Sequence, residues 1–270
     1  MAAEHPEPET EPQASAPWRP WSDVGIALTF LTRLPVPARP DHGAGALARA
    51  GWAFPLAGVL AGGVGAAVIM VTAGSGLHPL AAAFLALGAM TILTGALHED
   101  GLADFADGLG VSGRDRRLEV MRDSRIGAFG VLALVFATGL KVTALASLAG
   151  PGMAALALIA AAGLSRAVMV PTMYALPAAR ADGLAQGAGR PPLWVAGLAI
   201  ALGLAVLMPL WPLVGSDVIT IAAAGLAAGL FACWAMNAAV GGHTGDTLGA
   251  QQQLVEIAVY VAAATAEISL

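Results

Sequence analysis

Charge is what this sequence has least of. Asp, Glu, Lys and Arg make up 11% of its 270 residues, less than half of the roughly 25% usual in soluble domains. That scarcity excludes an ordinary soluble enzyme and a disordered chain. A basic surface is missing too. The 13 Lys and Arg stand against 18 Asp and Glu, a formal charge of −5, so no general face exists to neutralise nucleic-acid phosphates. Cysteine is nearly absent. Cys233 stands alone in an apolar run, so no intramolecular disulfide can form and the redox compartment stays open. What abounds is apolar: 57% hydrophobic residues and a mean hydropathy of +0.75. This is the composition of an all-α, polytopic integral membrane protein.

Residues 1–20 (MAAEHPEPETEPQASAPWRP) are rich in Pro and Glu and lack any apolar period. They are expected to be a disordered tail, with residues 21–270 forming one membrane-embedded domain. No basic start leads into an apolar core and cleavage site, so no signal peptide is expected. The apolar stretch 24–37 is shorter than the ~20 residues of a span and is expected to lie at the interface or re-enter. Spans are expected over 52–73, 77–97, 128–148, 152–174, 193–214 and 217–240. A weaker seventh, 253–270, contains Glu256 and Glu267. Gly58 and Gly62 form a GxxxG suited to close helix packing.

Alternate loops differ in charge. One set carries Arg19, Arg33, Arg39, Arg49, Arg114, Arg116, Arg117, Arg122, Arg125, Arg180 and Arg190; the other (74–76, 149–151, 215–216) has no Lys or Arg. The positive-inside rule puts the arginine-bearing set in the cytoplasm. Only Lys141 and Arg166 fall within spans. Arg166 either reaches a substrate phosphate or snorkels, and Lys141 pairs within the bundle or snorkels. Trp18, Trp21, Trp52, Trp194 and Trp211 mostly mark span ends, as an aromatic belt does.

The longest loop, HEDGLADFADGLGVSGRDRRLEVMRDSRIG (98–127), holds seven of the 18 acids and five of the 13 basic residues. In so apolar a chain that concentration calls for a function. Asp100, Asp104 and Asp107 follow i, i+4, i+7. If the second span continues helically past Gly101, the three share one face. Such carboxylates repel one another unless a cation lies between them, and hard oxygen ligands suit Mg²⁺ or Mn²⁺ bridging to phosphates. Arg116, Arg117, Arg122 and Arg125 either fork onto a diphosphate or set topology and pair with Glu119 and Asp123. The turn GGHTGDTLGA (241–250), with Thr244 and Asp246, offers hydroxyls and free amides for phosphate or metal. His98, beside two acids, is a candidate ligand or base.

FLTRLPVP, LTGALHEDGLADFADG, RLEVMRDSRIGAFG, the SRA around Arg166 and GGHTGDTLGA occur in that order. On these motifs the chain resembles the cobalamin synthase (adenosylcobinamide-GDP ribazoletransferase) family from about Trp21 to the C-terminus. The resemblance implies six to seven transmembrane helices with the active site at the cytoplasmic face of a prokaryotic inner membrane. It implies an Mg²⁺-dependent phosphotransfer, Mn²⁺ being the other cation considered. A hydroxyl of α-ribazole or its 5′-phosphate would attack adenosylcobinamide-GDP and release GMP. On that reading Asp100, Asp104 and Asp107 hold metal, one of the acids or His98 serves in catalysis, and Arg122 and Arg125 hold the diphosphate. Arg166, Thr244 and Asp246 are further substrate-side candidates. Glu99 is set aside as a ligand. The partners are the two substrates and the lipid bilayer, without nucleic acid; a homo-oligomer is left open. Two competing readings are a CDP-alcohol phosphotransferase, whose acidic motif needs an Arg that DGLADFADG lacks, and a secondary transporter, for which no internal repeat is found.

Overall fold

A computed structural model describes residues 19–36, 45–180 and 187–267; the Pro- and Glu-rich stretch 1–18 lies outside them. Among the described residues the regular structure is helical, without a strand. Five segments are long and apolar enough to cross a membrane: Ala46–Thr72, Ala128–Ser147, Pro151–Ala175, Leu193–Val214 and Asp217–Val240. A short helix α1 (Pro20–Leu31) precedes them. Ala46–Ala50 (α2) runs through a 3₁₀ turn into α3 (Phe54–Thr72). Asp23 of α1 is fully buried, accepting hydrogen bonds from Arg49 Nε at 2.9 Å and Trp52 Nε1 at 3.1 Å. The described part of that stretch, 24–36, thus packs against the bundle edge, with residue 37 outside the described residues, and Trp52 serves as a buried donor instead of a belt residue.

The expected second span is a bent pair of helices, which pass the length and hydropathy test together and make a sixth candidate span if counted as one. Helix α4 (Pro79–Thr94) stops at Gly95, and α5 (Leu97–Leu109) leaves it at 91°. Gly95 (φ +66°) and Ala96 (φ +58°) both adopt the left-handed conformation, which makes the elbow. For Ala96 this costs roughly 1–2 kcal/mol. The Arg33 amide steadies the bend by donating to the Leu93 carbonyl at 2.7 Å. The three aspartates share a helix because α5 starts anew. Helix α5 carries four acids in 13 residues. After α6 (Arg114–Val120) come α7 (Ala128–Ser147), α8 (Pro151–Ala175), α9 (Leu193–Ala205), α10 (Trp211–Val214) and α11 (Asp217–Val240).

The most enclosed span is α8, apolar on all sides. A side chain at Gly58 or Gly62 of α3 would run into the Ala162 or Leu158 carbonyl of α8, so the GxxxG permits backbone contact. The weak seventh segment begins eight residues earlier than expected, as α12 (Gly245–Glu267). This helix has spanning length but is enclosed by α5, α7, α8 and α11. Gln251, Gln252, Gln253 and Glu256 are all buried on it.

Those polar residues meet the two intramembrane cations. Glu256 takes Lys141 Nζ at 3.3 Å and Arg166 Nη1 at 3.2 Å on its two oxygens. Lys141 also donates to Gln253 Oε1 at 2.6 Å, and Gln253 donates to Glu99 at 3.2 Å. Both cations pair inside the bundle; neither snorkels. Removing one partner of a buried pair costs about 3–5 kcal/mol. Glu256→Leu is therefore expected to lower the melting temperature of the purified protein strongly, and Glu256→Leu with Arg166→Met to regain part of the loss. A double variant no more stable than the single would show that these groups do not act as a unit.

Candidate active site

Among the described residues, Arg114, Arg117 and Arg180 of the charged loops meet the end of α11 and the start of α12, where α5 crosses α12. The crossing is close. A side chain at Gly101 would strike the Asp246 backbone, and one at Gly249 would press on His98. Thr244 precedes α12 and caps it: its Oγ1 accepts from the Thr247 amide at 3.2 Å, while Thr247 Oγ1 accepts from the Thr244 amide at 2.8 Å. This reciprocal arrangement is a capping box with Thr in place of the usual Glu. Thr244 Oγ1 also donates to Asp246 at 3.3 Å.

Asp100 is exposed, while Asp104 and Asp246 are partly shielded. Partial burial and the charges of Asp100, Asp246 and Asp107 push the Asp104 carboxyl up to about 7. The Asp246 carboxyl is also raised, by burial against the opposing pull of Arg180. Arg180 Nη1 stands 3.5 Å from Asp246 and its Nη2 donates to the Leu118 carbonyl at 3.0 Å. The three acids thus form an anionic cluster with the Arg180 cation at its edge.

Asp107 is placed differently. It accepts from the amides of Gly127 at 2.7 Å and Gly130 at 2.8 Å, holding the first turn of α7, where a carboxylate also complements the helix dipole. Asp107 thus serves the first turn of α7 as well as facing Asp104, while Asp246 stands with Asp100 and Asp104 at the helix crossing. Among the described residues, no three His, Cys, Asp or Glu side chains converge as a ready-made metal cage.

The arginines divide by partner. Arg114 donates to the Val240 carbonyl at 2.9 Å and the Ala179 carbonyl at 2.7 Å, and Arg117 to the Ala239 carbonyl at 3.1 Å. Together they fasten α6 over the C-terminal end of α11. Arg116 pairs with Glu119 at 2.7 Å. Arg125 pairs with Asp123 at 2.6 Å, holding that carboxyl down to about 2. Arg122 and Arg125 are exposed. Arg166 is 2% exposed and bound to Glu256, away from the acidic cluster.

Beside the acids lies a partly enclosed cavity of about 120 Å³. Phe30, Phe54, Met173 and Leu248 supply apolar wall, with His98, His243, Asp100 and Asp246 at its polar edge. His98 and His243 are buried, and Nε2 of each lacks a hydrogen-bond partner. Burial pushes both imidazoles below their ordinary pKa, for His98 with help from the Arg166 and Lys141 charges. Sequence reasoning missed Arg180, which it counted only as a topology charge, and His243. The signal for His243 was its place inside GGHTGD.

No solved structure matches the chain. The model of the family described as "Cobalamin-5-phosphate synthase" matches residues 23–264. Curated relatives called "Adenosylcobinamide-GDP ribazoletransferase" include one from Azorhizobium caulinodans, 49% identical over 88% of this chain and 93% of its own length. Another, from Bradyrhizobium diazoefficiens, is 46% identical over 90% and 93%. A third, from Rhizobium meliloti, is 44% identical over 91% and 97%. With that coverage, and with the acidic helix and the GGHTGD turn meeting at one site, the chain belongs to the cobalamin-5-phosphate synthase family.

Proposed function

We propose that this protein joins adenosylcobinamide-GDP to α-ribazole or its 5′-phosphate, releasing GMP, with Mg²⁺ at the Asp100–Asp104–Asp246 cluster. The observation that carries the reading is the crossing of α5 and α12, which brings three carboxylates together beside a partly enclosed cavity. The donor set fits the ion. Mg²⁺ commonly takes one or two carboxylates and fills its shell with waters and substrate phosphates, so a cluster short of a full cage is suitable. Bound there, the ion would neutralise charge on the transferring phosphoryl group and the leaving GMP.

The chain's own part is positioning. Asp100 and Asp104 hold their carboxylates one turn apart on a helix braced by Gly101 against α12. Arg180 orients Asp246, and Arg122 and Arg125 offer guanidinium groups to the diphosphate from the exposed loop. In the transfer, a ribose hydroxyl gives up its proton to a carboxylate of the site and its oxygen bonds to the corrinoid-side phosphorus. The bond from that phosphorus to the bridging oxygen breaks, and GMP leaves with the electron pair. The arginine-bearing end of the bundle faces the cytoplasm of a bacterial inner membrane.

The deciding assay is GMP release by purified protein from adenosylcobinamide-GDP. It is expected only when α-ribazole or its phosphate is present, and release without either would overturn the reading. Asp100→Asn and Asp104→Asn are each expected to fold yet lose nearly all turnover and to need more Mg²⁺ for what remains. The double variant should be hardly worse than either single, since groups serving one ion are not additive. Wild-type Mg²⁺ dependence in either single would place the metal elsewhere. For sidedness, cysteines replacing Ser112 and Ser75 in a Cys233→Ala background should react with an impermeant thiol reagent from opposite sides. Labelling at position 112 from outside intact cells would reverse the orientation.

A further inference from the structure

The 120 Å³ cavity has walls that the acidic cluster does not explain. Phe30 and Phe54, their rings 6.0 Å apart and near parallel, join Met173 and Leu248 in an apolar slot. Apolar cavities of about this size take up a single aromatic ring, and ligand sites combine such walls with few polar groups. Here two of those polar groups are His98 and His243, 1% and 3% exposed.

Their imidazoles differ in what they offer. His243 Nδ1 lies 3.0 Å from the Pro177 carbonyl, which only accepts, so the proton sits on Nδ1 and Nε2 presents a lone pair. His98 Nε2 is buried without a partner and donates when it carries the ring proton. An orphaned buried polar atom costs about 1–3 kcal/mol, which a complementary ligand recovers. His243 and Met173 also line a second cavity of about 370 Å³ together with Pro177, Gly189 and Arg190.

We propose that this slot binds the flat heteroaromatic base of the ribazole nucleophile, with His98 Nε2–H donating to the free ring nitrogen and His243 Nε2 accepting from a ribose hydroxyl. The inference rests on the ribazoletransferase reading and says which substrate part lies where. The alternatives fit less well. A corrinoid is far larger than the slot. Guanine carries several polar edge groups that Phe30, Phe54, Met173 and Leu248 would leave unpaired. A lipid chain would leave both imidazoles orphaned. A benzimidazole is apolar on its faces and benzo edge, with one ring nitrogen accepting.

Direct binding tests this without turnover. Fluorescence titration of the full-length protein in detergent with 5,6-dimethylbenzimidazole alone should show saturable binding, lost in Met173→Trp, which fills the slot. Indene, of similar shape but without the ring nitrogen, should bind about tenfold more weakly, and His98→Leu should abolish that preference. In the GMP-release assay Met173→Trp should raise the KM for α-ribazole by about tenfold or more and leave the adenosylcobinamide-GDP KM within about twofold. Should Met173→Trp fail to fold, the free base must still compete with α-ribazole in the wild type and not with the corrinoid. The proposal is overturned if the base does not bind, if indene binds equally well, or if the base competes with adenosylcobinamide-GDP. Base binding in a protein that shows no ribazole-dependent GMP release would instead overturn the activity while keeping the slot.

Discussion

Glu256 fixes the interior of this bundle. It faces Lys141 and Arg166 at once, and its Oε1 also accepts from Gln252 Nε2 at 2.6 Å. Hydrocarbon offers no water to any of these groups, so each must find its partner within the protein. Slipping α12 by one residue would swing its side chains by ~100° and strand them all. Gln251 adds two bonds of the same kind, to Thr172 Oγ1 at 2.8 Å and the Gly229 carbonyl at 2.9 Å. Buried ion pairs contribute little net stability after desolvation. What they supply here is register, and register is what the site needs.

The consequence runs through three consecutive residues of α5. Glu99 turns into the bundle, where Thr91 and Gln253 each donate to it at 3.2 Å. His98 turns to the cavity, and Asp100 outward to the acidic cluster. One helical turn thus carries an interior tether, a cavity wall and a site carboxylate. The tether also helps hold the elbow whose left-handed Ala96 is strained. Without that compensation α5 would lose its reason to leave α4 at a right angle, and the crossing with Asp246 would be lost with it.

Much of this was legible in the amino-acid order. The five long apolar spans, the GxxxG contact and the concentration of charge at 98–127 all follow from hydropathy and charge patterning. Two features were hidden for physical reasons. The interior helix α12 is as long as a span, yet Gln251, Gln252, Gln253 and Glu256 lower its apolarity. Those residues face protein instead of lipid, so hydropathy underrates it. The elbow was hidden because Gly95 is one of 34 glycines, and Ala96 is not a residue from which a positive φ is inferred. Spacing placed Asp107 with Asp100 and Asp104, but spacing does not register that the first turn of α7 has amides needing an acceptor. Asp246 joined the cluster from 142 residues further along, through a contact no local pattern encodes.

The arginines show how energetic cost sorts candidates that sequence left together. Arg125 is paired with Asp123 across an exposed surface, where ion pairs are worth little and are screened by salt. An incoming diphosphate can displace Asp123 at small cost and gain a bidentate contact with the guanidinium plane. Arg166 is held in the bundle by Glu256 and the Ala162 carbonyl. Moving it to a substrate would leave Glu256 short of a partner where desolvation makes that expensive. The two side chains carry the same charge and lie in the same chain. Of the two, Arg125 is the one whose partner can be exchanged at small cost, whereas Arg166 belongs to the scaffold beneath it.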